Sequence, residues 1–221
     1  MAPSDTPPHQ RCVLAQRGYN CGVTFRRSYR GSHFLSQIVT ADLGNKLGYV
    51  SMPPDHRIAH QLKIRSIQHE LPIAAQILDV IENKVFVIEQ AAGVLLWEIE
   101  DGLPSLAFVE EKLNSFVSSM QRVGLVHGDI RPWNIFYDKA NDSVKVIDWG
   151  FSFFIGDQLE PKTLGHLQAR GHDVSNLARV DRVDVERTLR VLDGKLSYEA
   201  AWRHGPNEIE WRPKWAKREI G

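Results

Sequence analysis

The chain is poor in features that mark several classes of protein. Only two cysteines, Cys12 and Cys21, occur among 221 residues, and their spacing fits no zinc-binding pattern. The two cysteines could form a single disulfide in an oxidising compartment or remain as two free thiols in a cytosolic chain, and the second interpretation is favoured. Basic and acidic residues number 27 each, so the net charge of zero argues against nucleic acid or anionic lipid as a partner.

Long apolar runs are also missing. No stretch is long enough to cross a bilayer, and no apolar region precedes a cleavage site, so we expect no membrane span. The first ten residues are polar and rich in proline, and we expect residues 1–21 to form a disordered lead-in and N-terminal extension. The expectation is a soluble cytoplasmic protein with one large domain or two small lobes. The sequence predicts no oligomeric state.

Residues 127–150 carry three polar side chains at fixed spacing in an otherwise apolar segment. Asp129 precedes Asn134 by five residues, and Asp148 follows Asn134 by fourteen. Two short apolar runs joined by a polar turn at residues 139–143 predict a β-hairpin. The hairpin would place Asn134 beside Asp148, with Asp129 one short loop away. Oxygen-bearing side chains in this arrangement suit a hard divalent cation such as Mg²⁺.

Two motifs in this segment resemble those of a known superfamily. HGDIRPWN at residues 127–134 resembles the catalytic loop of protein-kinase-like proteins, and IDWG at residues 147–150 is similar to their metal-binding element. The motif has the form HGD, with Gly128 where protein kinases usually have Arg. This form is more similar to that of aminoglycoside phosphotransferases, RIO-type kinases and lipopolysaccharide-core kinases. The resemblance implies that Asp129 is the catalytic carboxylate and that Arg131 contacts the transferred phosphoryl group.

The resemblance also implies ATP and Mg²⁺ as cofactors. Asn134 and Asp148 would hold Mg²⁺ on the nucleotide phosphates. The implied nucleotide-binding residues are Ile88 at the gatekeeper position, the backbone of Glu89 and Ala91 at the hinge, and Gly31 in the loop over the phosphates.

Hydrophobic periodicity predicts an α+β arrangement of strands and helices, and their order resembles the two lobes of kinases. A β-rich N-lobe would span residues 22–90, and a short helical C-lobe with the catalytic loop and a basic, Trp-containing tail would span residues 91–221. Residues 157–171 show little regular pattern, and no A-P-E element follows IDWG. The predicted strands are residues 23–25, 33–40, 47–52, 75–80 and 84–90, and the predicted helices are residues 56–70, 94–99, 105–123 and 181–192.

Two segments allow alternative interpretations. Asp181 and Asp184, on the last predicted helix, either bond to the catalytic-loop backbone as in kinases or lie on a solvated face. The solvated face is favoured for each. In the tail, Trp211 and Trp215 alternate with basic residues, so they either stack on a partner or pack on the body of the protein, and packing is favoured.

The phosphate-binding half of the predicted site departs from the kinase pattern. The strand at residues 47–52 ends without a Lys, and the middle of the next helix has Gln61 and Lys63 in place of a Glu. Gly31 is the one clear glycine of the phosphate loop. We expect another cation to compensate. The candidates are Lys63, which is the first choice, Lys46 and the arginines at positions 26–30.

These observations lead to the hypothesis of an atypical minimal kinase. It would transfer phosphate from ATP to a hydroxyl of a protein or small molecule, and the sequence does not identify this acceptor. The alternative is a pseudokinase that binds nucleotide or a partner protein without turnover. The presence of Asp129, Asn134 and Asp148 favours activity.

Overall fold

The structure is a computed structural model that describes residues 20–22, 39–42, 47–51, 57–81, 85–89, 91–99, 101–197 and 200–201. The chain divides into two compact units, one containing residues 1–70 and 75–90 and the other containing residues 71–74 and 91–221. Several predicted features lie outside the described residues: Gly31, Lys46, the arginines at 26–30, Cys12, residues 1–19 of the expected lead-in and extension at 1–21, the strand at 23–25, and Trp211 and Trp215. Residues 20 and 21 of that expected extension instead lie in a strand, Asn20–Gly22.

The first unit contains a five-stranded antiparallel sheet and one described helix. The strands follow the order β1-β2-β3-β5-β4 across the sheet, so β5 lies between β3 and β4. The helix falls between β3 and β4 in the chain, as the sequence predicts. The elements are β1 (Asn20–Gly22), β2 (Val39–Asp42), β3 (Leu47–Ser51), α1 (Ile58–Gln68), β4 (Ile77–Ile81) and β5 (Val85–Glu89).

Helix α1 buries polar side chains rather than an apolar stripe. Arg65 donates a hydrogen bond to Gln68 Oε1 at 2.6 Å, and its guanidinium carbon lies 5.8 Å from the centre of the Phe86 ring. Gln68 donates in turn to the carbonyl of Ala75. Because these groups are bonded, a polar face can lie against the protein interior. Only Ile64 among the apolar residues of the helix is fully buried.

In its described residues the second unit combines three α-helices of known bounds with two small antiparallel sheets. One sheet has the order β6-β8-β9, and the other pairs β7 with β10. Its elements are β6 (Val94–Leu95), α2 (Leu106–Arg122), β7 (Leu125–Val126), β8 (Ile135–Asp138), β9 (Ser143–Val146), β10 (Phe153–Phe154), α3 (Pro161–Ala169) and α4 (Val180–Leu192).

Helix α2 matches the prediction from the sequence. The Ser105 side chain accepts a hydrogen bond from the Phe108 N–H at 3.3 Å and so caps the first turn. Gly124 follows the helix with a φ of +68°, the left-handed conformation that glycine adopts readily at a helix end. The buried face consists of Val109, Leu113, Phe116, Val117 and Met120.

Two predicted segments differ in the structure. Residues 94–99 were expected to be helical, but Val94 and Leu95 form strand β6 because they pair with Tyr137 and Phe136 of β8, and a single 3₁₀ turn follows. Residues 157–171 were expected to be irregular, yet they contain α3. This helix buries only Thr163 and Leu167, so its sequence shows no apolar stripe.

The α+β class predicted from the sequence is confirmed, since an antiparallel sheet with one helix is followed by a largely helical region. Within the described ranges, no helix is long and apolar enough to cross a membrane.

Candidate active site in the second unit

The hairpin formed by β8 and β9 brings the two predicted metal ligands together. Ile135 pairs with Val146, and the Ile147 N–H donates to the carbonyl of Asn134 at 2.9 Å. Asn134 therefore precedes one strand at the same end of the hairpin where Asp148 follows the other. The hairpin predicted from the sequence is confirmed.

Asn134 is oriented by the catalytic loop. Its side-chain nitrogen donates to the carbonyl of Asp129 at 2.9 Å and to Asp129 Oδ2 at 2.8 Å. Both hydrogen bonds use the nitrogen, so the amide oxygen is the atom left to bind a cation.

Asp148 lies in a left-handed turn with φ +64°, and its Oδ1 accepts a hydrogen bond from the Gly150 N–H at 3.2 Å. The residue is exposed, whereas Trp149 beside it is buried. The Trp149 ring packs edge-on against His127, with the ring centres 4.8 Å apart. His127 Nε2 also lies 3.1 Å from the Ile147 carbonyl. These contacts hold the IDWG turn against the start of the catalytic loop.

The Asp129 carboxylate is enclosed by cations. Arg131 approaches both oxygens, with Nε 2.6 Å from Oδ1 and Nη2 2.7 Å from Oδ2. Arg170 forms a further ion pair with Oδ1. Burial acts to raise the pKa of Asp129, but Arg131 and then Arg170 outweigh burial and hold this pKa well below its usual range. Asp129 is therefore ionised at neutral pH although its side chain is only 1% exposed.

The sequence did not identify the partners that α3 contributes. His166 Nε2 lies 3.5 Å from Asp129 Oδ1 and 3.1 Å from Arg170 Nη1. Burial lowers the pKa of His166, so the ring is neutral at pH 7. Nε2 lies between the Arg170 guanidinium and the Asp129 carboxylate. The ring also stacks on Phe151 with centres 3.6 Å apart.

Helix α4 contributes two buried carboxylates next to the loop at residues 127–134. Asp181 accepts hydrogen bonds from the backbone N–H groups of His127 at 2.8 Å and Gly128 at 2.9 Å. Asp184 is fully buried and lies within 3.3 Å of Arg170. The solvated face favoured by the sequence is wrong for both residues. They are buried because each is paired with a donor that the apolar pattern of the helix does not reveal.

The backbone conformation and the close contacts at position 128 both require a glycine. Its φ is +78°, and a Cβ at this position would lie 2.9 Å from the carbonyl oxygen of Phe151. A side chain would therefore be strained and would push against the segment after the IDWG turn.

The remaining predicted site residues belong to different parts of the chain. Ile88 and Glu89 lie in β5 and Lys63 is an exposed residue of α1, all in the first unit. Ala91 is buried and begins the longer segment of the second unit, which also contains Asp129. In the described residues, no group of three or more His, Cys, Asp or Glu side chains is arranged to hold a metal ion. A two-ligand site completed by phosphate oxygens does not require one.

Comparison with known proteins agrees with this geometry. Residues 51–155 match the family described as Phosphotransferase enzyme family (APH). The chain is also similar to Serine/threonine-protein kinase Kist of Rattus norvegicus, with 32% identity over 87 residues, which is 38% of this chain and 18% of that protein. The Homo sapiens and Mus musculus proteins of the same name are 31% identical over the same length and shares.

The matched part thus spans less than a fifth of these kinases. The phosphotransferase family match contains residues 127–150. The family match, the α+β fold and the catalytic-loop motifs agree with one another. Over residues 51–155 the chain resembles the phosphotransferase enzyme family, and together these findings support a protein-kinase-like superfamily member.

Proposed function

We propose that the protein catalyses ATP- and Mg²⁺-dependent phosphoryl transfer to a hydroxyl group. The observation that carries the proposal is the meeting of Asn134 and Asp148 at one end of the hairpin, with Asp129 bonded to Asn134. The available donors are an amide oxygen and an exposed carboxylate. These are hard oxygen ligands of the kind that bind Mg²⁺ together with substrate phosphates, so the residues present fit the ion. Mg²⁺ would neutralise charge on the phosphates during transfer.

Asp129 would orient the acceptor hydroxyl. Its low pKa makes it a weak proton acceptor, so its main contribution would be a hydrogen bond that holds the hydroxyl in line with the phosphorus. Arg131 would contact the transferred phosphoryl group. Its guanidinium lies 3.8 Å from the centre of the Trp133 ring, which fixes the side chain next to Asp129.

The first unit would be the N-lobe and the second unit the C-lobe. Ile88 would be the gatekeeper, and Ala91 would supply a backbone contact to adenine. The Glu89 N–H already donates to the Gln76 carbonyl at 2.8 Å, so a contact from Glu89 would have to use its carbonyl oxygen. Gly31 would belong to the loop over the phosphates.

The test separates metal binding from chemistry. Asp148→Ala should abolish the Mg²⁺-dependent thermal shift caused by ATP, because the main metal ligand is lost. Asp129→Asn should keep that shift but lose transfer, measured as ADP release, because the carboxylate acts on the acceptor. Asp173→Ala, which removes an exposed carboxylate, is the control and should behave as the parent. Equal ATP shifts in Asp148→Ala and the parent would contradict the metal assignment.

A second candidate is a pseudokinase that binds nucleotide without turnover. It is favoured by the enclosure of Asp129, whose oxygens are both engaged by Arg131. An Mg-ATP thermal shift without ADP release or self-phosphorylation would support the pseudokinase, whereas ADP release that depends on Asp129 would exclude it.

The missing strand lysine requires a separate test. Lys63 on α1 is our first candidate for the cation that contacts the phosphates, because its long stem would allow it to reach inward from the helix. Lys63→Met should weaken ATP binding more than Lys46→Met or Arg30→Met, measured by ATP affinity and turnover. If none of the three substitutions changes either quantity, the compensation hypothesis fails.

A further inference from the structure

One buried guanidinium is shared between two carboxylates beside the catalytic loop. Arg170 Nη1 pairs with Asp129 Oδ1 and lies 3.2 Å from the Gly128 carbonyl, while Nη2 lies 3.3 Å from Asp184 Oδ1. The side chains are 5% exposed for Arg170, 1% for Asp129 and 0% for Asp184. Because the three side chains are buried, water screens the ion pairs little, and the strength of each pair depends on the distance between its charged atoms.

Asp129 has no oxygen open to an acceptor in this arrangement. Arg131 and Asn134 approach Oδ2, and Arg131 and Arg170 approach Oδ1. An acceptor hydroxyl has to come within about 2.6–3.2 Å of a carboxylate oxygen to be oriented by it. One existing contact must therefore break before transfer, and Arg131 and Asn134 have roles of their own on the phosphoryl group and the metal.

A second acceptor for the Arg170 guanidinium lies on Asp184. Asp184 Oδ2 is buried and has no hydrogen-bond partner among the described residues. The other oxygen, Oδ1, lies 3.1 Å from His172 Nε2 and 3.9 Å from Arg187 Nη1 in addition to Arg170. A buried acceptor without a partner costs free energy, and an arginine that bonds both oxygens of a carboxylate forms a strong pair.

The backbone around Arg170 does not have to move for this exchange. Leu167, one turn earlier, is fully buried with Val126, Phe153 and Val180. The carbonyl of Arg170 itself accepts from Arg187 at 3.0 Å. These contacts anchor the backbone, so an exchange of partners would be a movement of the Arg170 side chain alone.

We propose that Arg170 is a gate on the catalytic carboxylate, and that it withdraws from Asp129 to a two-bonded pair with Asp184 when an acceptor hydroxyl binds. The proposal rests on the proposed function, since it assigns Asp129 to the acceptor. Asp184 is a positioning residue, because it acts on Asp129 only through Arg170.

The kinetic test uses Mg-ATP hydrolysis, in which water is the acceptor, with Mg-ATP affinity measured alongside. Asp184→Asn removes the charge that attracts Arg170 away from Asp129, so kcat should fall about tenfold with unchanged ATP affinity, as expected for the loss of a charged hydrogen-bond partner. Arg170→Gln added to Asp184→Asn should restore kcat to near the parent value, because the gate is gone.

A purely structural role for the two residues makes the opposite prediction, since the double variant would then be as slow as Asp184→Asn or slower. That result would overturn the gate. Arg182→Gln is the matched control: it removes a positive charge from the same helix, and Arg182 is exposed and donates to Gln121 rather than contacting Arg170 or Asp184. Its kcat should stay close to the parent value, and a loss equal to that of Asp184→Asn would also count against the gate.

A structural test does not depend on turnover. In a crystal structure of Asp129→Asn, the negative charge that holds Arg170 is absent, so both guanidinium nitrogens should bond Asp184, one of them to Oδ2. An Arg170 that still contacts residue 129, with Oδ2 unpaired, would overturn the proposal. If the parent neither hydrolyses nor transfers phosphate from ATP, the proposed function fails, and this structure still decides whether Arg170 exchanges partners.

Discussion

Asp181 gives the most quantitative prediction about the catalytic loop. Its two carboxylate oxygens accept the N–H groups of His127 and Gly128, which lie 54 and 53 residues away in the sequence. The substitution Asp181→Asn keeps the shape of the side chain but leaves one acceptor oxygen and introduces an NH₂ donor. One of the two buried N–H groups must then face a donor instead of an acceptor.

The expected cost follows from that unpaired group. Leaving a buried donor without a partner costs ~1–3 kcal/mol, and the facing NH₂ group adds to this, so Asp181→Asn should lower the free energy of unfolding by about 2–3 kcal/mol. For a chain of this size such a loss lowers Tm by roughly 4–12 °C. The loop that carries Asp129 should also become more mobile, because the hydrogen bonds that the His127 and Gly128 N–H groups donate to residue 181 help to hold it in place.

Urea unfolding at pH 7 with the parent, Asp181→Asn and Glu186→Gln tests the reasoning. Glu186 lies on the same helix but is exposed, so its substitution should change stability by less than about 0.5 kcal/mol. If Asp181→Asn cost no more than Glu186→Gln, the two backbone hydrogen bonds would not support the catalytic loop as described.

Two further predictions concern the same loop. Gly128→Ala should destabilise the protein by about 1–3 kcal/mol more than Gly124→Ala, since both glycines have positive φ but only Gly128 has the Phe151 carbonyl against its Cβ position; equal Tm losses would rule out this clash. The lowered pKa of Asp129 makes a pH-dependent contribution: its stabilising effect is complete above about pH 4 and is lost at lower pH, so urea unfolding should show that the stability difference between the parent and Asp129→Asn shrinks in acid.

The sequence by itself predicted the parts of the molecule that depend on local pattern. The apolar stripe and the Ser105 cap defined α2, and the turn at residues 139–143 with its flanking β-formers defined the hairpin. The spacing of Asn134 and Asp148 was informative for the same reason, because a hairpin of known length determines which side chains meet at its end.

Helix α3 and its partners could not be predicted in this way. This helix buries only two of its own residues, and its contributions to the site come from His166 and from Arg170 at its end. Polar residues that are buried through ion pairs leave no hydrophobic period in the sequence. Their role depends on partners elsewhere in the chain, since Arg170 and Asp129 are 41 residues apart.

The sequence therefore determined the hairpin that joins Asn134 and Asp148 and the α+β class, since these follow from neighbouring residues and regular spacing. Only the tertiary structure decided that Asp181 and Asp184 are buried, that Asp129 is enclosed by two arginines, and that Asp184 keeps an unpaired oxygen beside Arg170. The physical reason is that burial of a charge is tolerated only where a distant part of the chain supplies its counter-charge or hydrogen-bond donor, and that pairing is settled by packing and not by local pattern.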